Sequence, residues 1–190
     1  MRVQTLVPVL TLALVSSGSL AEQRDSAPET FRANAHVQGA SAGAGAATVE
    51  VHIKRYTPDA ERTAVEQALK TGGFQGFVAA LRKAPEVGYV KVGDKQWPIR
   101  WAREQPGPRG RTIVVVTPEP IFFVGGGRID AKPREGYEVG LIQLQIDNVG
   151  LGNGSMAAAA RVRPGGETGV QVDDYADKPI KLVTVVRKIE

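Results

Sequence analysis

Three features of the chain predict an α+β fold in which strands dominate. Apolar residues recur in short runs, several of them alternating with polar ones. Gly and Pro clusters separate nearly all of these runs, and helical spacing appears in one region only. Many short strands joined by close turns imply an antiparallel meander, closed as a barrel or folded as a sandwich. A short two-helix insertion is expected after the first strand.

The elements follow in order. Val49, Val51 and Ile53 alternate with Glu50, His52 and Lys54, the period-2 pattern of a half-buried strand that turns His52 toward solvent. Thr57-Pro58-Asp59 predicts a helix start, with Thr57 as N-cap, proline in the first turn and an acid favoured by the helix dipole. Val65, Ala68 and Leu69 supply its apolar face, and Gly72-Gly73 ends it. A second helix is expected from Phe74 to Lys83, stopped by Pro85. Strands then follow over Val87–Val92, Gln96–Glu104, Thr112–Thr117, Tyr137–Asp147, Met156–Val162, Val170–Asp174 and Ile180–Lys188, with a short apolar stretch at Ile121–Val124. Pro106–Gly110 and Val149–Gly154 are expected as hairpin loops.

The N-terminus carries a different signal. Met1-Arg2, an apolar run from Val3 to Val15 and small residues at Ser19 and Ala21 predict a secretory signal peptide over residues 1–21, cleaved after Ala21. The run is shorter than the roughly 18–20 residues of a membrane-spanning helix. The expected location is therefore periplasmic or extracellular, with no transmembrane segment after signal removal. Residues 22–47 are rich in Ala, Gly and Ser, a composition too poor in large apolar groups to offset ordering entropy, and read as a flexible leader. The folded domain is expected over residues 48–190.

Composition narrows the function classes. The 24 basic and 20 acidic residues are interspersed, so no nucleic-acid or anionic-membrane patch is indicated by a charge run. The chain has no cysteine, so stability must come from core burial rather than disulfides. Leu141–Ile146 followed by Gly150-Leu151-Gly152-Asn153-Gly154 imitates a dinucleotide fingerprint, but Ser155 stands where a third glycine would be required. Gly125-Gly126-Gly127 lacks the Lys-Ser/Thr of a phosphate loop, and Val149 and Leu151 occupy positions where a calcium loop needs oxygen ligands. The two histidines, His36 and His52, and the domain's one serine, Ser155, offer no triad context and no zinc site. Glu119, Asp130, Asp147, Asp173 and Asp174 remain available for carboxylate chemistry, with nothing to select a pair. No catalytic residue, metal ligand or cofactor is assigned.

Trp97, Ile99 and Trp101 share one face of a strand by the two-residue period, with Arg100 and Arg103 close by. They read either as core or as an aromatic wall for a ligand, and these four polar-tipped residues (Trp97, Trp101, Arg100 and Arg103) form the candidate ligand site. Pro98 places that strand at an edge or bulge. Ala157–Ala160 packs little in a strand, and leaves room either for an apolar ligand or for a closely approaching element.

Val87-Gly88-Tyr89, Trp101-Ala102-Arg103, Arg111–Thr117, Gly150-x-Gly152-x-Gly154-x-Met156 and Asp174-Tyr175-Ala176-x-x-Pro179-Ile180-x-Leu182 resemble a family of uncharacterised secreted bacterial proteins. The resemblance spans Thr48 to the C-terminus and implies export and a shared fold. It carries no activity and no functional residue. The expected function is a secreted or periplasmic non-enzymatic domain that binds a small apolar ligand or an envelope component. The alternatives are a carboxylate-based envelope hydrolase and a structural or inhibitory protein-binding module. A cavity with converging acids, an apolar cavity lined by the tryptophans, or a filled core with an exposed apolar edge would separate the three.

Overall fold

Alternating inward and outward side chains resolve into ten strands and one helix among the residues described by the structure, a computed structural model covering 28–36, 46–123, 134–166 and 169–188. They are β1 (Glu29–His36), β2 (Ala46–Ile53), α1 (Asp59–Lys83), β3 (Gly88–Val92), β4 (Lys95–Ile99), β5 (Trp101–Gly107), β6 (Gly110–Thr117), β7 (Val139–Asp147), β8 (Leu151–Pro164), β9 (Val170–Tyr175) and β10 (Ile180–Lys188). The sheet order is β4-β3-β2-β1-β10-β8-β7-β6-β5, antiparallel at every pairing, with β9 paired to β8. The two ends of this order, β4 and β5, are consecutive in the chain with Arg100 between them. Arg100 N–H donates to the Val116 carbonyl (3.1 Å) and Val87 N–H to that of Ile99 (2.8 Å), so one bent strand nearly closes the sheet into a barrel.

Two expectations need correction. The segment read as a flexible leader contains β1, and the strand is central: it pairs with β2 on one side and β10 on the other. Phe31, Ala33 and Ala35 point inward while Arg32, Asn34 and His36 point outward, so small alanines suffice because the neighbouring strands supply the bulk. The expected start of the fold at residue 48 is thus too late. The expected pair of helices is instead a single helical element, α1, kinked at Gly73 (φ +61°, ψ −159°), a conformation open to glycine. Thr57 does not cap it. Pro58 occupies the N-cap without a side-chain bond, and the Thr57 hydroxyl accepts from Ala102 N–H (2.8 Å) at the margin of β5. The signal segment, residues 22–27 and 37–45 of the leader, and Gly125–Gly127 lie outside the described residues.

The turns are tighter than expected. β5 and β6 extend almost to their tip, leaving Pro108-Arg109, and β8 begins at Leu151, so Gly152 and Gly154 are strand residues. Residues 155–161 are likewise strand, which removes the helix that a dinucleotide fold requires. A Cβ on Gly152 would lie 1.9 Å from the Gln145 carbonyl oxygen, and one on Gly154 2.9 Å from Leu144 Cδ2. Glycine is therefore needed for the close approach of β7 and β8. Gly152→Ala is expected to force these strands apart and destabilise the protein by about 1–3 kcal/mol, read from urea unfolding.

Two cores result. Inside the barrel, Phe31, Ile53, Ile99, Ile113, Ile121, Ile142, Leu144, Met156 and Leu182 belong to one buried cluster that fills the interior. On the outer face, Val65, Leu69, Phe77, Val78 and Leu81 of α1 pack on Trp101, Val114, Val116, Leu141, Ala157 and Ala160. Alanine at 157 and 160 lets the helix approach, while Ala158 faces the barrel and its carbonyl accepts from Ile121 N–H (2.8 Å).

Candidate functional site

The expected aromatic wall does not assemble on one face. Trp97 and Ile99 point into the barrel, but at Arg100 the chain leaves β3 and joins β6, and the alternation slips by one residue. Trp101 consequently lies on the outer face beneath α1, fully buried, while Ala102 turns inward. The two tryptophans thus sit in different cores, and the Trp101 indole Nε1 makes no hydrogen bond. Arg100 donates through Nη1 to the Ala84 carbonyl at the end of α1 (2.8 Å), and Arg103 faces Glu66 of the helix (4.0 Å). Arg100, Trp101 and Arg103 join the helix to the sheet while Trp97 belongs to the barrel interior, so the four do not line a shared concavity.

The densest polar chemistry gathers at one end of the barrel, around Glu29, which the sequence reading placed in the leader. Its carboxylate is only 3 % exposed. Arg111 of β6 approaches it with two nitrogens, Nη2 to Oε1 (2.7 Å) and Nη1 to Oε2 (3.0 Å). Tyr56 donates its hydroxyl to Oε2 (2.9 Å), and Arg187 Nε lies 3.0 Å from Oε1. Arg111 Nη1 also reaches Glu104 Oε2 (2.7 Å), and its guanidinium sits 5.8 Å from the Phe31 ring centroid. A bulge in β10, where Thr184 takes φ +53°, shifts the strand by one residue and brings Arg187 to the side of Glu29.

Electrostatics make this cluster a lock. Burial pushes the Tyr56 hydroxyl well above its usual range, and the Glu29 charge pushes it further, so the phenol stays a neutral donor. Burial opposes the Arg111 charge, yet its bonds to Glu29 and the charges around it hold the guanidinium protonated more firmly than in water. Both Glu29 oxygens are engaged, and neither is presented to a substrate. The arrangement ties β1 to β6, to β10 and to the segment leading into α1.

Three of the acids singled out in the sequence, Asp147, Asp173 and Asp174, are also engaged locally through their carboxylates. Asp147 Oδ1 accepts from Val149 N–H (3.0 Å) and Leu151 N–H (2.8 Å), whereas Glu119 accepts only through its main-chain carbonyl, from Thr117 Oγ1 (2.6 Å), and its side chain is exposed. Asp173 meets Arg161 (3.1 Å) and Arg163 (3.5 Å), and Asp130 lies outside the described residues. Asp174 accepts from the Tyr137 hydroxyl, and the Tyr137 ring centroid lies 4.9 Å from the Arg134 guanidinium and 5.6 Å from that of Arg161. The Tyr137 bond, then that of Tyr175 N–H, holds the Asp174 carboxyl below its ordinary 3.8. A depressed carboxyl stabilises the fold above its unfolded pKa and loses that contribution as pH falls through the folded value. Asp174→Asn is therefore expected to be less stable than the wild type near neutral pH. The gap should close as the urea midpoint is followed below the ordinary carboxylate range.

His52 is on the outer face as expected but is half covered. Its Nδ1 lies 2.9 Å from Thr30 Oγ1, and its ring stacks on Tyr89 at 4.8 Å. Two strands, β1 and β10, separate it from Ser155, a spacing on the order of 14 Å across the sheet. Among the described residues, no three His, Cys, Asp or Glu side chains gather as a metal-ligand set. No family model, curated protein or solved structure matches the chain. The geometry must therefore speak for the function.

An open groove of about 400 Å³ lies on the outside, between the β5–β6 and β7–β8 hairpins. Arg109, Arg111, Asp147 and Leu151 are among its lining residues. Beside it are most of the large apolar side chains left exposed among the described residues: Val149 (81 %), Leu151 (50 %), Val183 and Val186. Leu151 and Val186 are direct cross-strand partners.

Proposed function

We propose that this protein is an exported, non-enzymatic binding domain that works through its outer surface on a component of the cell envelope. The supporting observation is the filled barrel: the interior is one buried cluster of Phe, Ile, Leu, Met and Val side chains, where an internal apolar ligand would need space. Export rests on the N-terminal sequence and on the resemblance to secreted proteins. The hydrolase alternative is weakened because Glu29, Glu104, Asp147, Asp173 and Asp174 are held by arginine, tyrosine or backbone N–H groups, and Glu119 is exposed, so these acids do not converge on a cleft. A filled core with exposed apolar residues on the outside favours a macromolecular partner over a small molecule.

The test is co-sedimentation of the purified protein with isolated envelope fragments, run beside titration with an apolar fluorescent probe. Retention on the fragments without stoichiometric probe uptake is expected. A soluble protein that ignores the fragments, or one that takes up one probe molecule per chain, would overturn the reading.

A further inference from the structure

We infer that the barrel end formed by the β5–β6 and β7–β8 hairpin tips and the last turns of β10 docks on an anionic phospholipid surface, with Val149 and Leu151 entering the interface. The inference names the partner of the outer surface proposed above and rests on that reading.

The backbone of the tip carries the argument. A loop that enters the boundary of a bilayer must satisfy its own backbone polar groups, because the acyl region offers no water to do so. At this tip Asp147 Oδ1 accepts from both Val149 N–H and Leu151 N–H, and the Asp147 carbonyl accepts from Gly150 N–H (3.2 Å). The Gly150 carbonyl accepts from Arg187 N–H (2.8 Å). The turn is thus bonded internally while it projects Val149, the most exposed large apolar side chain described, away from the molecule. An internally bonded tip with exposed apolar side chains suits a deformable medium better than a preformed pocket.

Charge selects the kind of surface. Exposed Arg109 stands on the neighbouring hairpin, whose Gly110 pairs with Asp147, while Arg187 and Lys188 end β10 beside the tip, paired with Glu29 (3.0 Å) and Glu50 (3.3 Å). Arg32 faces Val186 across the sheet and shares the Glu50 carboxylate with Lys188. Among the described residues Arg109 has no carboxylate within ion-pair distance, which leaves it available to a phosphate. These cations are far apart in the chain, which explains why no basic run marks them. With Arg109 unpaired and Arg32 and Lys188 sharing one carboxylate, the cations here outnumber the carboxylates, Asp147 included, and phospholipid phosphates complement the excess.

The experiment uses protein expressed from the full chain and purified as the cell leaves it. Sedimentation is measured with vesicles of mixed phosphatidylcholine and phosphatidylglycerol, with vesicles of phosphatidylcholine alone, and with lipid-extracted envelope fragments. Binding to the mixed vesicles is expected, weakening with added salt. The neutral double variant Val149→Ser with Leu151→Ser should reduce that binding at least about tenfold while its urea midpoint stays near that of wild type, because both side chains are exposed. Arg109→Glu should weaken it further on the anionic vesicles. Because all variants share one N-terminus, the difference between them reports the tip. Binding to mixed vesicles that neither variant changes would overturn the inference. So would binding to the lipid-extracted fragments alone, which would leave the outer-surface reading standing with a protein or glycan partner. Binding to neither would overturn both. Self-association abolished by the double variant, without vesicle binding, would assign the tip to a second copy instead.

Discussion

Arg111→Ala is expected to destabilise the fold by about 3–5 kcal/mol, because it strands the buried Glu29 carboxylate without its principal partner. In a domain of this size, that loss corresponds to a fall of roughly 6–20 °C in Tm. Arg187 and Tyr56 remain on Glu29, but Arg187 is half exposed and screened, and a phenol supplies no charge. The double variant Arg111→Met with Glu29→Gln separates the cost of breaking the pair from the worth of having it. It should be appreciably more stable than the sum of the single variants, since no buried charge is left alone. Urea unfolding of the wild type, Arg111→Met, Glu29→Gln and the double variant closes the cycle. A loss below about 1 kcal/mol for Arg111→Ala would mean that Glu29 is hydrated in solution and that β1 is not latched as described.

Trp101→Ala should cost a similar amount, about 3–5 kcal/mol, for a different reason. The indole is fully buried in the core shared by α1 and the sheet, so its removal leaves a cavity in the cluster that holds Val65, Leu69, Phe77 and Val116. Trp101→Phe is expected to cost far less. It retains an aromatic ring, and the missing N–H forfeits no bond because Nε1 has no partner. A Trp101→Ala variant that unfolds near the wild-type urea concentration would show that α1 does not rest on this face. With Trp97 inside the barrel and Trp101 outside it, the two indoles share no face on which one ligand would stack.

Much of the strand pattern was legible because the two-residue period is a local property of the chain. Val49, Val51 and Ile53 face inward as their alternation implies, and β6, β7 and β10 fall close to the expected ranges. The miss at β1 has an identifiable cause. Phe31, Ala33 and Ala35 do alternate with Arg32, Asn34 and His36, but Ala carries little hydrophobic weight, and the neighbouring Gly-Ala-Ser stretch dominated the composition. Period-2 spacing, read ahead of composition, was the signal that could have found it. The tryptophan misassignment arose differently. Strict alternation holds along one strand, and Arg100 marks the point where the chain changes partners from β3 to β6.

Local sequence therefore determined which segments extend, where the helical region falls and which residues break it, because propensity, period and Gly or Pro punctuation act within a few residues. Tertiary structure alone decided the barrel's near closure, the merging of two helical stretches across Gly73, the placing of the tryptophans in separate cores and the assembly of the charged end. Glu29, Tyr56, Glu104, Arg111 and Arg187 are distributed along nearly the whole described chain, each unremarkable in its own neighbourhood. Only strand order and register bring them within hydrogen-bond distance, and neither is a function of local spacing.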